Sequence, residues 1–115
     1  MRLFAMLSVF VAMGASDALA APSKERIAAK IEKLVADKRC QTDSDCDSAP
    51  MGYRSCGGPD RYVIFSKRKT RRDALNRAIK EFNAVDKRSK AETMGICAVE
   101  MQPAIACTAG TCAER

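Results

Sequence analysis

The chain has 115 residues, with 20 Lys and Arg against 14 Asp and Glu, a formal net charge of +6, six cysteines and no histidine. That length suits one small domain, for which a core alone is marginal and covalent staples are common. Without an imidazole, Ser–His–Asp and Cys–His nucleophile systems and histidine-ligated metals are excluded.

At the N-terminus, Arg2 precedes an apolar run from Leu3 to Gly14 broken only by Ser8, followed by Ala18-Leu19-Ala20. This pattern predicts a signal peptide over residues 1–20, cut between Ala20 and Ala21, leaving about 95 residues. A spanning helix needs about 20 apolar residues. The run here is shorter and meets Asp17. The expectation is therefore a periplasmic or secreted protein with no membrane span after cleavage.

Residues 21–39 are expected to form an N-terminal amphipathic helix. Ser23 caps it, Glu25 lies in its first turn, and Ile27, Ile31, Leu34 and Val35 form a narrow apolar stripe over Lys24–Lys38. Residues 40–115 are expected to form a disulfide-stabilised α+β domain.

Cys40 to Gly58 reads as a loop rich in Asp, Ser, Gly and Pro. Asp43, Asp45 and Asp47 alternate as calcium ligands do, but an EF-hand starting at Asp43 requires Gly at 48 and Glu at 54. Ser48 and Arg54 stand there, so these acids are read as turn formers and caps and no metal site is expected. Gly57-Gly58-Pro59 beside Cys56 reads as a sharp turn. As an anion nest it is poor, because proline offers no N–H.

Arg61-Tyr62-Val63-Ile64-Phe65-Ser66 predicts a strand, apolar on both alternating faces and so covered on both sides or central. A helix follows over about Thr70–Arg88. Thr70 serves as N-cap, Leu75, Ala78, Ile79, Phe82 and Val85 form the apolar face, and Asp73–Arg77 and Asp86–Lys90 are i,i+4 pairs. Beyond a polar connection, 96–101 and 104–107 read as short strands, and 108–111 as a turn leading to Cys112. The expected fold is α+β: a short antiparallel sheet of about three strands packed by one main helix, plus the N-terminal helix.

Six cysteines in a small exported chain imply three disulfides rather than a metal cluster. Fifteen pairings are possible. If the segments 40–46 and 107–112 lie antiparallel, the bridges are Cys40–Cys112, Cys46–Cys107 and Cys56–Cys97. Pairing of neighbours, such as Cys46–Cys56 and Cys107–Cys112, is the open alternative.

Cys40-x-x-Asp-x-Asp-Cys46, Cys56-Gly-Gly-Pro-x-x-Tyr62 and the closing Pro103-x-x-x-Cys107-x-x-Gly-x-Cys112 resemble uncharacterised small exported cysteine-rich bacterial proteins. The resemblance implies a shared disulfide fold and carries no activity.

Between Arg61 and Lys90 there are eleven Lys and Arg and three acids, whereas residues 40–60 hold four acids and one Arg. Such a basic lobe favours an anionic partner, a cell-surface polyanion or an acidic protein. Candidate contacts are Lys67, Arg68, Lys69, Arg71, Arg72, Arg77, Lys80, Lys87 and Arg88. Nucleic acid is disfavoured, because only Phe65 and Phe82 lie near this charge and both read as core. A catalytic role would rest on Ser–Lys pairs or paired carboxylates with no supporting motif, so an enzyme is not expected, nor a cofactor. The leading reading is an exported binding module. A second is a hydrolase inhibitor presenting Met51 or Arg54 from the loop 47–55, and a third is a structural envelope factor.

Overall fold

In the computed structural model, residues 23–90 and 100–115 are described. The expected signal peptide and residues 96–99 of the expected strand over 96–101 lie outside these residues, and Glu100 and Met101 are in no strand. In chain order the elements are helix α1 (Lys24–Leu34), a single 3₁₀ turn (Asp43–Asp45), strands β1 (Cys46–Met51) and β2 (Arg61–Ser66), helix α2 (Arg72–Lys90), and strands β3 (Ile105–Thr108) and β4 (Thr111–Glu114). The class is α+β, as expected. The strands, however, form two antiparallel hairpins, β1–β2 and β3–β4, rather than one sheet of three.

Helix α1 starts where its pattern places it but ends at Leu34, short of the expected Lys38. The Ser23 hydroxyl accepts the Arg26 amide at 3.3 Å, and Ile27, Ile31 and Val35 turn inward. These meet Leu75, Ala78, Ile79 and Phe82 of α2, and Ala49, Met51 and Phe65 of the first hairpin complete the core. Thr70 is not the N-cap of α2. The helix begins at Arg72, the Arg71 carbonyl accepts the Leu75 amide, and the Thr70 hydroxyl donates to the Leu34 carbonyl at 3.2 Å. Thr70 thus ties the end of α1 to the start of α2.

The segment expected as loop contains β1, which pairs residue for residue with β2 from Cys46↔Ser66 to Met51↔Arg61. Composition concealed it: Asp47, Ser48 and Pro50 are poor strand formers, and the pairing with β2 imposes the extended backbone. Strand β2 covers 61–66 as expected, with Phe65 buried and Val63 packed at the core edge. The loop 52–60 closes this hairpin through the Asp60 amide on the Met51 carbonyl at 3.0 Å. Within it Gly57 and Gly58 have φ of 90° and 81°, so the Gly-Gly-Pro stretch is a turn built on left-handed backbone.

The second hairpin turns through Ala109 and Gly110, both at positive φ, as two-residue hairpin turns require. Strand β4, which follows the turn expected over 108–111 and was not itself expected, also aligns with the chain after α1. Arg39 bridges Thr111, the Cys112 amide donates to the Lys38 carbonyl at 2.8 Å, and the Cys40 amide donates to the Gly110 carbonyl at 2.9 Å.

Two disulfides lock this junction, Cys40–Cys107 and Cys46–Cys112, with Cα atoms 5.9 and 5.5 Å apart. The expected Cys40–Cys112 and Cys46–Cys107 bridges are therefore corrected. The nested pairing assumed that 40–46 and 107–112 lie antiparallel, but Cys107 and Cys112 stand opposite each other as register partners in the β3–β4 hairpin, and Cys40 and Cys46 reach them in the other order. Cys56 is also disulfide-bonded; the Cys97 half of the expected Cys56–Cys97 bridge lies outside the described residues.

Candidate functional site

The acids between Cys40 and β1 are all engaged. Asp45 Oδ2 accepts the Gln41 and Thr42 amides at 2.8 and 3.1 Å, and Arg68 joins it at 3.0 Å. Those amide hydrogen bonds, with the Arg68 guanidinium, hold the Asp45 carboxyl below its usual range. Asp43 Oδ1 accepts the Cys107 amide at 2.8 Å and its Oδ2 meets Arg115 at 3.1 Å. Asp47 pairs with Arg72 at 3.2 Å. Asp45 has the local turn and cap role that the sequence suggested, whereas Asp43 and Asp47 reach Cys107, Arg115 and Arg72 far along the chain.

Pairing of β2 with β1 delivers the turn 67–69 to the start of the first disulfide loop. The Ser66 hydroxyl, fully buried, donates to the Arg39 carbonyl at 2.6 Å, fixing residue 39 beside that turn. Arg39, Arg68 and Lys69 consequently line one surface depression of about 440 Å³, together with Cys40 and Gln41. Arg39 forks onto Asp37, with Nη2 2.6 Å from Oδ2. Those side-chain hydrogen bonds hold the Asp37 carboxyl at about 2. Around the depression, Arg39, Lys67, Arg68 and Lys69 outnumber Asp37 and Asp45, leaving an excess of positive charge.

All nine expected anion contacts are exposed. Arg71 and Arg77 share Asp73 at 3.8 and 3.7 Å, Arg72 lies over the Phe65 ring at 4.8 Å, and Lys87 lies over Tyr53 at 5.6 Å. Lys67, Lys69, Lys80, Lys87 and Arg88 make no ion pair among the described residues. Arg68 and Lys69 thus share the depression, while Arg77, Lys80, Lys87 and Arg88 lie along the outer face of α2. Arg39 was read only as the end of the first helix; its place next to Cys40 becomes meaningful once Ser66 binds its carbonyl.

The inhibitor contacts are differently placed. Met51 is 1% exposed and belongs to the core, so it is unavailable to a protease pocket. Arg54 is folded onto Asp60 at 2.9 Å with Glu100 beyond, and its side chain is mostly covered. Half of the expected loop 47–55 is strand β1.

A second charged cluster lies at the other end of the core. Asp86, at the i+4 position from Phe82 on the apolar face of α2, is fully buried. Its Oδ1 meets Lys24 at 2.6 Å, and its Oδ2 meets Lys90 at 3.0 Å and the Tyr53 amide at 2.8 Å. Burial pushes this carboxyl up, but the Lys24, Tyr53 and Lys90 contacts outweigh it and hold it at about 2. Lys90 also pairs with Asp60, and its ammonium is raised in pKa by the two carboxylates against the opposing effect of burial. From the sequence Asp86–Lys90 reads only as an i,i+4 pair within one helix; an acid in phase with an apolar stripe was the signal of a buried role.

The sulfurs of Cys40, Cys46 and Cys107 lie within 4.8 Å of one another, so the two bridges are adjacent. As half-cystines these residues carry no thiolate to offer a metal. Such bridges fit an oxidising compartment. Among the described residues no helix is long and apolar enough to cross a membrane. Compared with protein-family models, curated proteins and solved structures, the chain matches none of them.

Proposed function

We propose that this protein is an exported, non-enzymatic binding module whose basic surface engages an anionic partner, a cell-surface polyanion or an acidic protein. The observation that carries the reading is the convergence of Arg39, Arg68 and Lys69 on one depression held by the Cys40–Cys107 bridge. Cations held on a disulfide-locked surface need little ordering to bind, which favours affinity at modest contact area. Lys80, Lys87 and Arg88 extend the same sign of charge along α2 and would steer an anion toward the molecule.

The test is binding of the oxidised protein, after removal of residues 1–20, to a phosphorylated polysaccharide over a range of salt. Affinity should fall by about tenfold or more between 50 and 200 mM salt. Replacing Arg39, Arg68 and Lys69 with Gln should weaken binding more than replacing Lys80, Lys87 and Arg88. Equal losses from the two triples would reduce the site to general surface charge, and salt-insensitive binding would remove it.

A further inference from the structure

We infer that the groove between strand β1 and helix α2 binds a small amphiphilic carboxylate, of which a medium-chain fatty acid is the simplest example. The groove has a volume of about 340 Å³. That lies at the lower end of the range for small-ligand sites, about 300–1,000 Å³. Ala49 and Pro50 of β1 and Ile79 of α2 give it an apolar floor. Arg72 and Lys80 line it from α2, and long cationic side chains of this kind add apolar stem to such a floor while their charge stays in water.

The other polar groups of the groove are left as donors, for a local reason. Asn76 Oδ1 accepts Arg72 Nε at 3.2 Å, and Asn83 Oδ1 accepts the Gly52 amide at 2.8 Å. Each side-chain oxygen is therefore engaged, whereas neither Nδ2 has a partner among the described residues. The Asp47 carboxylate beside Arg72 is engaged too, by Arg72 Nη1 at 3.2 Å and by the Ser48 amide at 2.8 Å. Lys80 makes no ion pair among the described residues. Two amide –NH₂ groups, the Lys80 ammonium and Arg72 Nη2 thus surround an apolar floor with no acceptor of their own left over. A carboxylate supplies the acceptors and an alkyl chain covers the floor. An added peptide strand fits less well, because Pro50 has no N–H and the Ser48 amide is already bonded, so β1 gives it little to pair with. The groove uses none of Arg39, Arg68 and Lys69, and so stands apart from the depression proposed for polyanions.

The experiment titrates the oxidised protein, after removal of residues 1–20, with octanoate, octanol and acetate, and follows backbone and side-chain amides by NMR. Octanoate should shift the side-chain amide signals of Asn76 and Asn83. It should bind about tenfold or more tighter than octanol, which lacks the charge, and than acetate, which lacks the chain. Asn76→Asp keeps the shape and the contact to Arg72 but sets an anion among the donors, and should weaken octanoate about tenfold. Lys80→Gln should weaken it severalfold. The Arg39→Gln/Arg68→Gln/Lys69→Gln protein should bind octanoate as wild type does, so loss of polysaccharide binding there counts against the function proposed above and not against this site. Octanol as tight as octanoate would overturn the carboxylate, and acetate as tight would overturn the apolar floor. Shifts confined to residues outside the groove, or no shifts with millimolar octanoate, would overturn the site. An acetylated Leu-Asp peptide that binds more tightly than octanoate would overturn the fatty acid in favour of an acidic protein.

Discussion

The Asp86 carboxylate, enclosed on the inner face of α2, accepts the Tyr53 backbone amide at 2.8 Å while Lys24 reaches it from α1 at 2.6 Å. One side chain therefore joins both helices and the loop 52–60. Asp86→Asn keeps the shape and removes the charge, leaving Lys24 and Lys90 facing each other across an uncharged amide. Breaking a buried pair from one side costs about 3–5 kcal/mol. A drop in Tm of about 10 °C or more should follow in a domain of this size. Lys24→Met should cost about 1 kcal/mol or less, since its side chain is partly exposed and Lys90 remains. An Asp86→Asn protein melting within about 2 °C of wild type would show that this carboxylate does not hold the three segments together.

The same carboxylate sets an acid limit. Its folded-state pKa is about 2 against an ordinary 3.8, so its stabilisation is complete above the unfolded value and is lost as pH falls through the folded one. The contribution is about 2 kcal/mol at neutral pH and should fade between about pH 5 and pH 2. Urea midpoints measured at pH 5 and at pH 2.5 should show the fall in the wild type and a flatter profile in Asp86→Asn. Parallel profiles in the two proteins would assign the acid sensitivity to other groups.

Proteolysis of the oxidised protein should release peptides linked as Cys40–Cys107 and Cys46–Cys112. Their sequence separations of 67 and 66 residues make both bridges strong constraints on the unfolded chain. With Cys40–Cys107 intact, Cys46–Cys112 closes only the short loop through 40–46 and 107–112, so replacing Cys46 and Cys112 together by Ala should cost about 3 kcal/mol on chain-entropy grounds. A native protein mapped without thiol as Cys40–Cys112 and Cys46–Cys107 would contradict the fold of the 40–46 segment.

Gly52 and Gly57 share positive φ but differ in surroundings. A Cβ at Gly52, where φ is 96°, would lie 2.7 Å from Asp60 Cβ, and the Gly52 amide is bound to Asn83 Oδ1 at 2.8 Å. At Gly57 the space is open. Gly57→Ala should therefore cost only the backbone penalty of about 1 kcal/mol, and Gly52→Ala about 2–3 kcal/mol as the Asp60 contacts shift. Equal denaturation midpoints for the two variants would place the whole effect in the backbone and none in the close approach to Asp60.

Both helices were legible in the sequence because each carries a periodic apolar pattern that only one local conformation buries, and strand β2 because its run of β-branched and aromatic residues favours the extended backbone. Ser23 was legible as a cap for a similar reason, since its hydroxyl acts within one turn. The cysteine count and the absence of histidine likewise followed from composition alone, and with them the α+β, disulfide-stapled character and the narrow field of possible chemistry. Strand β1 was not legible: its residues favour turns, and only the partner strand makes them extended. The pairing of the four cysteines turned on the β3–β4 hairpin, which sets Cys107 opposite Cys112, and on the docking of the Cys107 amide onto Asp43, both tertiary events. Arg39 joined Arg68 and Lys69, and Asp86 drew Lys24 from a helix far away in the chain, because hydrogen bonds and ion pairs act through space and leave no periodic mark. Local backbone preference and side-chain period are written in the chain; which charges and sulfurs become neighbours is decided only when the elements pack.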